Sequence, residues 1–90
     1  MRQFDWKALI ETFVSGRMDG PTFEKAFLDA RRAEIEAGIS ERFSIDLLFY
    51  EVDAYCSDPT MMGPDDIDVE QLRIEARKCL ARWGEPWPEI

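Results

Sequence analysis

Apolar residues recur along the chain with a period near 3.6, and four segments carry that spacing. In the first, from about Phe4 to Ser15, Trp6, Leu9, Ile10 and Phe13 fall at i, i+3, i+4 and i+7 and predict one buried stripe, with Gly16 as a stop. The second, Pro21 to Ala37, opens on a proline suited to the first helical position and closes on Gly38. Its stripe is read as Phe23, Ala26, Phe27, Ala30 and Ala33. Arg31 and Arg32 then point away from the core, solvated or paired with Asp29, Glu34 or Glu36. The third is expected to start near Ser44, as N-cap, with Asp46 in its first turn. Its core face is Ile45, Leu48, Phe49, Val52 and Cys56, and its end is expected near Ser57-Asp58-Pro59, since the residue before proline avoids the helical region. A loop follows, Thr60 to Ile67. The fourth segment starts at Asp68, where Asp68 and Gln71 have capping-box spacing, and buries Val69, Leu72, Ala76, Cys79, Leu80 and Trp83 before Gly84. The proline-containing tail predicts Trp87 folding back onto the helices. Four amphipathic helices with short connections predict an all-α, single-domain, antiparallel four-helix bundle spanning residues 1–90.

Composition supports a bundle without staples. The chain has 90 residues, 46% of them hydrophobic, enough for one core with little margin. Two cysteines, Cys56 and Cys79, are too few for a disulfide scaffold and read as small core hydrophobes. There is no apolar run long enough to span a bilayer, and the start Met1-Arg2-Gln3-Phe4-Asp5-Trp6 lacks a signal-peptide core. The expectation is a soluble, cytoplasmic protein with no membrane partner.

Charge changes the picture more. The formal net charge is −8, which disfavours direct binding to nucleic acid and suits a basic partner. From Phe43 to Leu72 there are eight acids (Asp46, Glu51, Asp53, Asp58, Asp65, Asp66, Asp68 and Glu70) and no lysine or arginine. The remaining 11 acids and all 11 bases cancel, so the net charge resides in one contiguous third of the sequence. Charge kept for solubility alone is normally interspersed.

Candidate chemistry narrows the function class. With no histidine, the commonest general base and metal ligand are missing. No glycine-rich phosphate loop or CxxC motif occurs, and Asp65-Asp66-Ile67-Asp68 lacks the glycine and glutamate of a calcium loop. The sequence therefore reads as a protein that is not an enzyme and takes no cofactor or metal. The outward side of the third helix is more informative. With the core stripe turned inward, Leu47, Tyr50, Glu51, Ala54 and Asp58 face out at i, i+3, i+4, i+7 and i+11, with Tyr55 on the flank. Aromatic and aliphatic residues framed by carboxylates form an interface pattern. Asp53, Asp65 and Asp66 extend its charge, although Asp65 and Asp66 also favour a following helix N-terminus.

Several short motifs, in order, resemble the colicin D-type immunity proteins, a group of self-protective colicin-like immunity proteins that also accompanies contact-dependent inhibition toxins. They are Phe13-Val14-Ser15-Gly16-Arg17-Met18 with Thr22-Phe23-Glu24; Arg31-Arg32; Leu48-Phe49-Tyr50-Glu51 with Asp58-Pro59; and Ile67-Asp68 with Leu72-Arg73-Ile74-Glu75-Ala76-Arg77. The loop between Asp58 and Ile67 departs from the family pattern. The resemblance implies a four-helix bundle that binds a cognate tRNA-cleaving toxin domain as a heterodimer. It also implies acidic side chains filling the cleft meant for the tRNA backbone, with Glu51, Asp53 and Asp58 foremost and Asp65 and Asp66 next. The alternatives are immunity to a DNase-type colicin, or an acidic helical adaptor that binds another basic protein.

Overall fold

The computed structural model describes residues 4–40, 42–58 and 60–88. It is an antiparallel four-helix bundle: α1 (Trp6–Val14), α2 (Gly20–Glu36), α3 (Phe43–Ala54) and α4 (Val69–Ala81). No helix is long and apolar enough to cross a membrane among the described residues. α4 is the central element, packed against both α1 and α3.

Local chemistry sets most of the helix ends. Asp5, Asp19 and Asp68 each accept a backbone N–H three residues on, from Ala8, Thr22 and Gln71, satisfying amides that a helix start leaves without partners. Gln71 does not complete a reciprocal box; its amide turns instead to Glu75, at 3.2 Å. Gly16 (φ +84°) and Gly38 (φ +75°) take the left-handed conformation that ends α1 and α2.

The predicted stripe of α1 is buried throughout: Trp6, Leu9, Ile10 and Phe13. Phe13 stacks on Phe23 with ring centres 4.1 Å apart and planes 4° apart. Phe23 meets Phe27, and Phe27 meets the edge of Trp6. Each fully buried phenylalanine contributes about 1.5–3 kcal/mol, so this aromatic file, with Ile45, Leu48, Val52, Leu72, Ala76 and Cys79 from α3 and α4, forms most of the core.

Four expectations are corrected. In α2 the buried stripe continues through Ala30 to Glu34, and Ala33 is exposed. The indole Nε1 of Trp6, itself buried, donates to Glu34 Oε1 at 2.6 Å, so a carboxylate occupies the core register because Trp6 requires an acceptor there. Arg31 pairs with Asp46 of α3 at 3.5 Å, and its guanidinium covers the ring of Phe49 at 3.8 Å; Phe49, expected in the core, lies at its edge and is only partly buried. Ser44 is not the cap of α3: the carbonyl of Arg42 starts the ladder, accepting from Ile45 and Asp46, and Ser44 sits buried inside the first turn. Finally, α3 ends at Ala54, short of Ser57, because Tyr55 turns to extended backbone (φ −68°, ψ 131°) and bridges to Ile67.

Both cysteines are free thiols. Burial pushes the Cys79 thiol up to about 11, and its Sγ–H donates to the Ser44 carbonyl. Cys56, expected in the core, is half-buried against the Asp58 carbonyl. Trp87 does fold back, its ring centre 5.3 Å from that of Phe43, yet half its surface stays exposed.

The sharpest packing constraint lies where α2 begins. A Cβ on Gly20 would overlap the phenol of Tyr55 and press on Val69. Gly20→Ala improves helix propensity by about 1 kcal/mol, yet the overlap is expected to make it destabilising by roughly 1–3 kcal/mol, read as a lower urea midpoint. A higher midpoint would mean that the Tyr55 ring moves aside without cost.

Candidate partner-binding surface

The up-down topology has a direct consequence for charge. The α1–α2 turn, the C-terminus of α3, the α3–α4 loop and the N-terminus of α4 all lie at one end of the bundle. Long-range contacts pin them together there. Arg73 of α4 donates to the carbonyls of Phe13 and Met18, and Tyr55 packs on Gly20. The loop itself is closed by Ile67 N–H donating to the Ala54 carbonyl and Cys56 N–H donating to the Ile67 carbonyl, both at 3.0 Å.

This pole carries Asp19, Asp53, Asp58, Asp65, Asp66, Asp68 and Glu70, and residues 15–20 and 53–70 contain a single base, Arg17. Arg73 stands just inside it, its guanidinium donating to the Phe13 and Met18 carbonyls, 5.0 Å over the Phe13 ring and 3.6 Å from the Glu70 carboxylate. The carboxylates differ in what holds them. Asp58 Oδ1 accepts from the Thr60 hydroxyl at 2.7 Å and the Thr60 amide at 2.9 Å, and these bonds hold its carboxyl below the ordinary 3.8. Asp19 is held down in the same way by Thr22. Asp66 accepts from the Gly63 amide, and Asp68 caps α4. Asp53 and Asp65 are exposed and serve no cap. Asp53 also sits in the last turn of α3, where the helix dipole disfavours negative charge and where no basic residue offsets it. Helix stability therefore gives no reason for a carboxylate at that position.

The outward face of α3 is realised in part. Leu47, Tyr50 and Glu51 come together along a groove of about 190 Å3 between α3 and α4, completed by Ser44, Lys78 and Arg82 among others. Tyr50 is the most exposed of them, at 63%, its ring edge against Phe49. Ala54 is half-buried at the end of the helix. Asp58 does not continue this stripe, because the helix has already ended and Asp58 belongs to the loop. Tyr55, expected as an exposed flank, is 9% exposed. Its burial first, then the carboxylates of Glu24 and Asp19, push its phenol above 10. Its ring packs beneath the pole, against Gly20 and Val69 at the starts of α2 and α4. Asp46, at the other end of α3, is spent on Arg31. Sequence reasoning missed the Asp19 carboxylate, whose place among the others follows only from the chain reversal.

None of the described residues form a group of three or more aspartates, glutamates, cysteines or histidines able to hold a metal ion. A family model described as bacterial self-protective colicin-like immunity matches residues 1–83. The chain belongs to this family. It is thus an immunity protein, of a family that neutralises toxins and whose members are typically non-enzymatic inhibitors. Comparison with curated proteins and with solved structures gives no match.

Proposed function

We propose that this immunity protein binds the nuclease domain of a tRNA-cleaving toxin, of the colicin D or contact-dependent inhibition kind, and occupies its cleft with the acidic pole. A ribonuclease cleft concentrates lysine and arginine to hold phosphates. Carboxylates fixed on helix ends and a closed loop stand in for those phosphates. The observation that carries this reading is the pole itself: seven carboxylates against two bases, Arg17 and the Arg73 paired with Glu70, with Asp53 kept where its own helix disfavours it. Asp53 and Asp65 make the principal charged contacts, with Asp58 and Asp66 behind them, and Glu51, Leu47, Ala54 and exposed Tyr50 extend the contact along α3. Tyr50 supplies apolar anchor area of the sort that dominates interface energetics. The complex is a 1:1 heterodimer in the cytoplasm, where the tRNA target lies.

The test is co-expression with the toxin domain encoded beside it, then cleavage assays on tRNA and on duplex DNA. Co-purification and loss of tRNA cleavage are expected. A toxin that cuts only DNA would replace the RNase reading with the DNase one. A chain that fails to bind the toxin domain would sink both.

A further inference from the structure

The opposite end of the bundle is built differently. A cleft of about 620 Å3 opens there between the start of α1, the end of α2, the start of α3 and the tail after α4, within the size range of ligand sites. All three tryptophans of the chain, Trp6, Trp83 and Trp87, line it, together with Phe4 and Phe43. The rings are mutually braced, Phe4 edge-on to Trp6 at 5.0 Å and Phe43 against Trp87 at 5.3 Å.

Among these rings lies the carboxylate of Glu34, 7% exposed. Its Oε1 accepts from Trp6, and no described residue donates to its Oε2. A carboxylate offers about four lone-pair sites, and Oε2 keeps its contact with the solvent of the cleft, so a donor on a molecule bound there can reach it. The cleft also displays the chemistry it favours: the guanidinium of Arg42 lies 4.6 Å over the Trp83 ring and donates to the Trp83 carbonyl at 2.8 Å. Lining charges are Asp5, Glu34 and Glu85 against Lys7 and Arg42, a balance of −1. Aromatic faces around a buried carboxylate complement a cation that is flat and only weakly hydrated, which describes a guanidinium better than an ammonium.

We infer that this tryptophan-lined cleft is a second binding site, taking an arginine side chain of the protein partner, its guanidinium stacked on indole and donating to Glu34. The inference rests on the proposed function only for the source of that arginine, a basic toxin. It gives the immunity protein two contact points at opposite ends, one long-range and electrostatic, the other short-range and shape-dependent.

The test uses the full chain without toxin. N-acetyl-arginine amide is titrated against intrinsic tryptophan fluorescence, which reports on the cleft because every tryptophan lines it. N-acetyl-citrulline amide, of similar shape but uncharged, is titrated in parallel. A saturable arginine response is expected, with citrulline at least about tenfold weaker. Glu34→Gln keeps an acceptor for Trp6 and is expected to weaken arginine binding by a similar factor with little change in thermal midpoint. Trp87→Ala, on the half-exposed tail, should also weaken it. Equal binding of arginine and citrulline, no saturable response, or full binding by both variants would overturn the site. None of these outcomes touches the acidic-pole reading, since no toxin is present. Conversely, a toxin indifferent to the pole would leave the titration unaffected.

Discussion

Reversing Asp53 and Asp65 together to lysine is expected to slow association with the cognate toxin domain by roughly a hundredfold at low salt. The fold should be nearly unaffected. Both side chains are exposed, neither caps a helix, and removing Asp53 relieves an unfavourable charge at the C-terminus of α3. The thermal midpoint should therefore stay level or rise slightly. Complementary fields act mainly on encounter, so the loss belongs in the association rate measured by stopped flow, and it should shrink as salt shortens the screening length from about 10 Å at 0.1 M to about 3 Å at 1 M. Matched reversals at Asp29 and Glu36, exposed acids of α2 outside both the pole and the aromatic cleft, supply the comparison. If they slow binding as much as the Asp53/Asp65 pair does, net charge rather than its placement governs encounter, and the proposed docking pole is wrong.

That prediction depends on an arrangement only half legible in the sequence. Periodicity identified four helices and the whole buried stripe of α1, because four large apolar residues at 3.6 spacing leave no competing register. In α2 the same rule chose Ala33 over Glu34, since alanine counts as apolar and glutamate as polar. The deciding term, the indole N–H of Trp6, lies 28 residues away and has no local signature. The end of α3 failed in the same way. Pro59 gives a stop signal near residue 58, but the helix actually stops at Ala54, where Tyr55 and Cys56 pair with Ile67 across the closed loop.

The site shows the same division. Charge counting along the chain found the acidic third, and interface composition singled out Tyr50 and Glu51. Neither reveals which carboxylates already have structural duties. Asp46 answers Arg31, Asp58 holds the Thr60 turn, Asp66 holds Gly63, and Asp68 caps α4. These are short-range bonds that depend on turn geometry. They convert a long row of equivalent acids into a pole with a few uncommitted members. The aromatic cleft escaped sequence analysis altogether, because its walls come from four separate stretches of chain and each ring, taken alone, reads as core.

Phe23→Ala is expected to have the opposite signature from the charge reversal: stability collapses while the binding surface survives. Phe23 is fully buried, stacked on Phe13 and tilted against Phe27, so its truncation removes the middle of the aromatic file. Such a change costs about 3–5 kcal/mol. A chain of this length has roughly 5–13 kcal/mol in total, at 0.05–0.15 kcal/mol per residue. The free variant should thus show a much lower urea midpoint with a nearly unchanged slope. The backbone bond from Phe23 N–H to the Asp19 carbonyl, which ties the pole to α2, survives truncation to alanine, and Arg73, which anchors α4 to the Phe13 carbonyl, remains. A partner that binds only the folded form restores about 4 kcal/mol when its concentration reaches a thousand times the dissociation constant. Excess toxin domain should therefore bring most of the midpoint back, with complex stoichiometry unchanged. Were the toxin to leave the midpoint where it was, Phe23 would be holding the binding surface itself in shape, and the separation between core and pole would not stand.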